Sequence, residues 1–341
     1  GKFLRLASTA VAEKGAKGMN VHMTFKQSTW AVLVAVVLVG CGAPAANPTA
    51  FVPTATLTAT APAAPTAGSS ASLRKLTVEG VERSYLLHTP PGLNSNQPVP
   101  VIFAFHGMDD NALTMGNMAG FDDVADRVSF LVVYPEGVQF NLFKGWNLST
   151  GGTGEVNELA FIHQILSDLD TMATIDAKRV YAAGFSMGGD HAYQLACDTD
   201  IFAAVASVSA RMEYGACQPS QAVSVLHVHG LIDPFVTSLA VVEQGIANWV
   251  RLNECTSPGQ VEELCHTFVG QSKRLGECAD SAQVDVTHTV YQSCQAGTAV
   301  ELYTIASGRH TWPTIYEPPF SQVIWDFFAE HPKPLQEEAA G

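Results

Sequence analysis

Short, nearly unbroken apolar runs alternate along this chain with longer stretches in which apolar residues recur every three or four positions. Val101-Ile102-Phe103-Ala104-Phe105, Phe130-Leu131-Val132-Val133-Tyr134, Val180 to Phe185, Ala203 to Val208 and Val223 to Val228 are the runs. Runs of this length suit strands of a parallel sheet buried on both faces. Helix-period segments lie between and after them: a stretch ending near Arg127, then Glu155 to Met172 with Val156, Leu159, Ile162, Ile165, Leu166 and Leu169 in phase, then Val236 to Leu252, and Pro319 to Glu330. Two segments alternate with a period of two instead. Leu76 to His88, folded about Gly80, predicts a hairpin, and Ala299 to Ile305 predicts a strand. Strands and helices in this order predict an α/β domain with a mainly parallel central sheet and helices on both faces. Glu254 to Cys294 has no long period, is rich in cysteine and polar residues, and reads as an insertion stapled by disulfides.

A hydrophobic run of another kind stands near the start. Lys26 gives a short positive flank, Trp30 to Val39 an apolar core too short for a comfortable membrane span, and Leu38-Val39-Gly40-Cys41 a bacterial lipobox pattern. A plain secretory signal or an uncleaved anchor would also use such a run. The lipoprotein reading accounts for Cys41, which stands far from the other cysteines and would bind a membrane through its acyl chains. Translation is expected to start at Met19 or Met23. From Ala43 to Ser72 the chain is almost entirely Ala, Pro, Thr, Ser and Gly without charge, the composition of an extended tether. The expected layout is upstream residues and signal peptide over 1–41, linker over 42–73, catalytic domain over 74–332 and a disordered tail over 333–341.

The remaining six cysteines are an even set suited to three disulfides and an oxidising compartment. None shows C-x-x-C spacing, and no metal site is expected. A formal net charge of -14 argues against nucleic acid as a partner.

The chemistry centres on Gly184-Phe185-Ser186-Met187-Gly188-Gly189, a Gly-x-Ser-x-Gly pattern between a predicted strand and a predicted helix. A serine at such a turn projects its hydroxyl clear of the sheet, and the small residues let strand and helix backbones approach closely. Its hydroxyl needs a base, and the base needs an orienting acid. Asp233, in His229-Gly230-Leu231-Ile232-Asp233-Pro234, directly follows a strand and is the candidate acid. His266, His288, His310 and His331 follow it in order. His310, in Gly308-Arg309-His310-Thr311-Trp312-Pro313 just after the strand ending at Ile305, is placed at the same sheet edge and is the candidate base. The N–H groups of Met187 and Met108 are the candidate oxyanion donors. His106 is read as bracing the Met108 loop and is also counted among the candidate substrate contacts. His227-x-His229 has metal-like spacing but lacks a third ligand. Trp146 and Trp312 are candidates for flanking the substrate, with core packing as the equal alternative.

Together, Phe105-His106-Gly107, Tyr134-Pro135-Glu136-Gly137, Trp146-Asn147, Val156-Asn157-Glu158-Leu159-Ala160, Ile175-Asp176-Ala177-Lys178-Arg179-Val180-Tyr181, the serine turn, the Asp233 stretch and Gly308-Arg309-His310-Thr311-Trp312-Pro313 resemble the secreted polyhydroxybutyrate depolymerase and feruloyl esterase group. The resemblance covers roughly residues 74–330. It implies an α/β-hydrolase fold and hydrolysis of hydroxyalkanoate, feruloyl or acetyl esters through an acyl-enzyme, with Ser186, Asp233 and His310 as the triad and no cofactor. It further implies the pairs Cys197–Cys217 and Cys255–Cys294, which leaves Cys265–Cys278 as a local staple. The chain departs from the group at Met108-Asp109-Asp110 and at Met187, and its Glu254 to Cys294 stretch is longer. The expected partners are an ester substrate and, through Cys41, a membrane, and a monomer is expected. A serine peptidase of the same fold and a non-catalytic polymer- or carbohydrate-binding lipoprotein stand as alternatives.

Overall fold

A computed structural model describes residues 70–140, 142–149, 156–211, 217–256, 259–278 and 283–333. Cys41, the signal segment and the linker up to residue 69 lie outside the described residues. Among those described, no helix is long and apolar enough to cross a membrane.

One twelve-stranded sheet runs through the domain. The hairpin forms as β1 (Ser70–Val78) and β2 (Val81–Thr89), turning at Gly80, where φ is +86°. The apolar runs form β3 (Val99–Phe105), β4 (Leu131–Pro135), β7 (Ile175–Phe185), β8 (Ala204–Val208) and β9 (Ser224–Gly230), and the alternating segment after them is β13 (Val300–Ile305). These lie side by side in the order β1-β2-β4-β3-β7-β8-β9-β13. From β4 to β13 every pairing is parallel, with β1 and β2 added antiparallel at one edge. Every residue of β3, β4, β8 and β9 is buried, as the unbroken apolar runs require.

Helices cover both faces. The first helix-period stretch splits at Gly120 into α1 (Ala112–Ala119) and α2 (Phe121–Val128). With α6 (Phe320–Glu330) they cover one face, where Phe121, Phe130, Ile324 and Phe328 form a core. Helices α3 (Glu158–Leu169), α4 (Met187–Asp198) and α5 (Leu239–Leu252) supply Phe161, Ile165, Tyr193 and Trp249 to the other. A buried ion pair fastens α3 to β2: Arg83 donates to Glu158 at 2.9 Å and lies 3.9 Å over the Phe161 ring.

The stretch read as an irregular insertion is a continuation of the sheet. Strands β10 (Gln260–Val269), β11 (Ser272–Glu277) and β12 (Val286–Tyr291) add antiparallel beyond β13, and the two-residue β14 (Tyr316–Glu317) closes that edge against β11. Their faces are only partly covered, so the sequence shows no strong apolar period there. A small hairpin of β5 (Val138–Gln139) and β6 (Lys144–Gly145) forms a separate sheet.

Two expected boundaries move. Ser70 to Leu73, read as linker, already pair with Thr89 to Leu86 in the first hairpin. Lys333, read as tail, donates its N–H to the Lys178 carbonyl at 2.9 Å.

The six cysteines form Cys197–Cys217, Cys255–Cys294 and Cys265–Cys278. The last two tie the sheet extension to the end of α5 and β10 to the segment after β11. With separations of 39 and 13 residues, loop-closure entropy predicts losses of about 4 and about 3 kcal/mol when each is replaced by a serine pair. Urea unfolding of Cys255→Ser/Cys294→Ser and Cys265→Ser/Cys278→Ser is expected to show that order.

Candidate active site

The carboxyl ends of β7, β9 and β13 place the three polar side chains. Ser186 sits between β7 and α4 at φ 52°, ψ -120°, a strained conformation for a non-glycine residue. The neighbouring glycines explain how the turn is tolerated. A Cβ on Gly184 would lie 2.0 Å from the Gly188 carbonyl oxygen, and one on Gly188 would lie 2.2 Å from that of Phe105. The Ser186 N–H donates to the Val208 carbonyl at 2.8 Å, which ties the turn to β8.

Asp233 follows β9 and is buried. Its Oδ1 accepts the N–H groups of Phe235 at 2.8 Å and Val236 at 2.9 Å, and its Oδ2 faces His310 Nδ1 at 2.7 Å. His310 Nε2 lies 2.9 Å from Ser186 Oγ. The imidazole stands between the rings of Phe185 and Phe235, at 5.1 and 4.8 Å. Burial pushes the Asp233 carboxyl up, but the Val236 N–H, the His310 ring and the Phe235 N–H outweigh it and hold the group below the ordinary carboxylate value. A hydroxyl bonded to an imidazole whose other nitrogen is held by an ionised carboxylate can lose its proton during attack on a carbonyl carbon.

The hydroxyl opens into a cleft of about 550 Å³ lined by Met108, Phe143, Leu148, Met187, Phe235 and His310, among others. Met187 opens α4, so its N–H has no intrahelical acceptor and lies at the positive end of the helix. Met108 lies on the loop after β3 and lines the same cleft. That loop is clamped on both sides of it: the Asp109 N–H donates to the Lys144 carbonyl, the Lys144 N–H donates to Asp109 Oδ1, both at 2.8 Å, and His106 Nε2 accepts the Gly137 N–H at 2.9 Å. Among the described residues no group of His, Cys, Asp and Glu could hold a metal ion.

Residues 83–244 match the family described as esterase PHB depolymerase. Over 265 residues the chain is 28% identical to the putative esterase NocK of Nocardia uniformis, covering 73% of this chain and 76% of that one. Feruloyl esterase D of Neurospora crassa is 26% identical over 269 residues, which span 74% of this chain and 83% of that protein. These matches support a polyhydroxybutyrate depolymerase- and feruloyl esterase-like group for the chain. It is an ester-hydrolysing enzyme of the serine hydrolase type. Two solved structures share its α/β-hydrolase fold. An acetyl xylan esterase from Aspergillus awamori has a TM-score of 0.55 at 16% identity, over 76% of this chain and 99% of that one. A feruloyl esterase module from Clostridium thermocellum, complexed with sinapinate, has a TM-score of 0.52 at 14% identity, over 77% and 88%.

Of the two readings open for Trp146, Trp312 and His106, burial corrects the one that placed them against the substrate. Trp146 is 1% exposed; its Nε1 donates to the His106 carbonyl at 2.8 Å, and its ring stacks on His191. His106 is fully buried and braces the Met108 loop. Trp312 is 4% exposed, packs edge-on against Phe121, and lines a separate cavity behind the His310 loop. None of the three lines the Ser186 cleft. Phe143, Leu148 and Phe235 do, and they sit on irregular loops whose direction no periodicity reveals. An aromatic two residues beyond Asp233 was the one available signal. His227 and His229 bond to each other and to protein groups.

A depressed carboxyl contributes stability that is present above the range where an unfolded aspartate titrates and is lost as pH falls through its lower folded value. Asp233→Asn should therefore be less stable than the wild type at pH 7, and the gap should narrow in acid. Urea unfolding of both proteins at pH 7 and pH 3 checks this; equal gaps would contradict it.

Proposed function

We propose that this protein is an extracytoplasmic serine esterase that hydrolyses carboxylic esters of a polymer or plant polysaccharide through an acyl-enzyme. The observation that carries the reading is the continuous Ser186–His310–Asp233 hydrogen-bond chain at 2.9 and 2.7 Å, opening into a cleft large enough for an acyl group. Ser186 attacks the ester carbonyl while His310 takes its proton. Asp233 holds the His310 tautomer and stabilises the imidazolium. The Met187 and Met108 N–H groups receive the oxyanion. His310 returns the proton to the leaving alcohol, and water then repeats the sequence on the acyl-enzyme.

Relatives named as acetylxylan and feruloyl esterases support hydroxycinnamoyl and acetyl esters of plant polysaccharides as substrates, and the family description supports hydroxyalkanoate esters. The apolar and aromatic walls of the cleft suit all three acyl groups. Three disulfides support an oxidising compartment. The lipobox-like sequence at Cys41 supports a lipid anchor, and the uncharged tether after it would hold the domain off the membrane.

Ser186→Ala should lower kcat on p-nitrophenyl acetate by on the order of 10⁴-fold or more and abolish labelling by a fluorophosphonate. Retained activity would remove Ser186 from its role. Assays on methyl ferulate, acetylated xylan and hydroxybutyrate oligomers then rank the three substrate classes by kcat/KM. In a bacterial host, the full chain should partition into the detergent phase and Cys41→Ser into the aqueous phase. Equal partitioning would reject the anchor.

A further inference from the structure

A second hydrogen-bonded chain lies behind the one at the cleft. Successive side chains on a strand alternate faces, so His227 and His229 on β9 point the same way, toward Tyr193 of α4. Tyr193 and His227 are fully buried and His229 nearly so. The Tyr193 hydroxyl is 2.7 Å from His227 Nδ1, His227 Nε2 is 3.4 Å from His229 Nδ1, and His229 Nε2 is 3.4 Å from the Val236 carbonyl oxygen. Val236 is the residue whose N–H donates to Asp233 Oδ1.

The polarity of this chain is determined from one end. A carbonyl oxygen only accepts, so His229 Nε2 carries a hydrogen. Burial disfavours the charged form of both rings. A neutral His229 then has an accepting Nδ1, which makes His227 Nε2 a donor. A neutral His227 in turn accepts at Nδ1 from the Tyr193 hydroxyl. Every link points the same way, from α4 through β9 to the loop that holds Asp233. Because α4 begins directly after Ser186, the helix that starts at the hydroxyl also anchors the far end of the chain supporting the acid.

We propose that His229, backed by His227 and Tyr193, is a positioning residue for Asp233: by donating to the Val236 carbonyl it fixes the turn whose amides hold the carboxylate against His310. This rests on the triad reading above. The role goes beyond packing because it depends on a donor at one atom. A glutamine at 229 can place an N–H near the Nε2 position, whereas a methionine of similar bulk cannot. Likewise Tyr193→Phe keeps the ring and removes only the hydrogen that sets the His227 tautomer.

The test compares His229→Met, His229→Gln and Tyr193→Phe in the full chain, with p-nitrophenyl acetate as substrate. Rates are expressed per site labelled to completion by fluorophosphonate, so that loss of folded protein does not count. Expected are a kcat about 10- to 100-fold lower for His229→Met with KM within twofold, kcat within about threefold of wild type for His229→Gln, and a three- to tenfold loss for Tyr193→Phe. The proposal is overturned if His229→Met turns over within twofold of wild type, or if His229→Gln is as slow as His229→Met. Should His229→Met fail to fold, Tyr193→Phe decides, and an unchanged kcat per labelled site overturns it. Ser186→Ala keeps the two readings apart: if it retains activity the triad itself fails, whereas if it is inactive and the chain variants are unaffected, only the positioning role falls.

Discussion

The close approach of three backbones at Ser186 is the constraint on which the rest of the site depends. The end of β7, the first turn of α4 and the loop after β3 meet with no room for a Cβ at Gly184 or Gly188. The serine takes a positive φ there, at a cost of order 1–3 kcal/mol, and the hydrogen bond from its N–H to Val208 holds it in place. The same crowding presses the Met108 loop against the helix start, so that hydroxyl and candidate oxyanion donors share one cleft. Strain, packing and chemistry are therefore a single arrangement: filling either glycine would separate all three.

The parallel sheet does the long-range work. Ser186 and His310 are 124 positions apart and Asp233 and His310 are 77 apart, yet each follows the carboxyl end of a strand, and those strands lie within four positions of one another in the sheet. Ligands of open α/β sheets bind at that rim for this reason. Buried polar groups then refine the placement. Asp285 in the sheet extension accepts from Lys273 Nζ at 2.9 Å and from the Tyr316 hydroxyl at 3.0 Å, and Ser307 Oγ reaches it at 3.4 Å. The extension that looked like an irregular insertion is thus a support for the His310 loop.

Legibility in the sequence followed the degree of burial. Strands covered on both faces, such as β3 and β4, announce themselves as unbroken apolar runs, and the serine turn by its glycines. Ser186 and Asp233 could be placed at one rim because each follows such a run, and His310 because it follows the alternating strand that ends at Ile305. Strands β10 to β12 could not be read, because partly exposed strands carry Glu262, His266, Lys273 and Arg274 among their apolar residues and lose the alternation. Trp146 and Trp312 show a different limit. An aromatic next to a motif can face the cleft or the core, and here the indole N–H of Trp146 finds its acceptor inside, at the His106 carbonyl. Phe235 has the opposite fate, 75% exposed at the cleft mouth. All three are aromatic; the path of the loop separated them.

The histidine loop leaves β13 at Ile305 and rejoins the sheet at β14, and Asp285 receives hydrogen bonds from Ser307 near its start and Tyr316 at its end. A span tied at both abutments behaves as an arch, not a flap. Swinging it aside would break the carboxylate's bonds and the β11–β14 pairing together. A bulky ester thus meets a slot already cut to shape, and adaptation to different substrates falls to the side chains of Met108, Phe143 and Phe235 around its mouth.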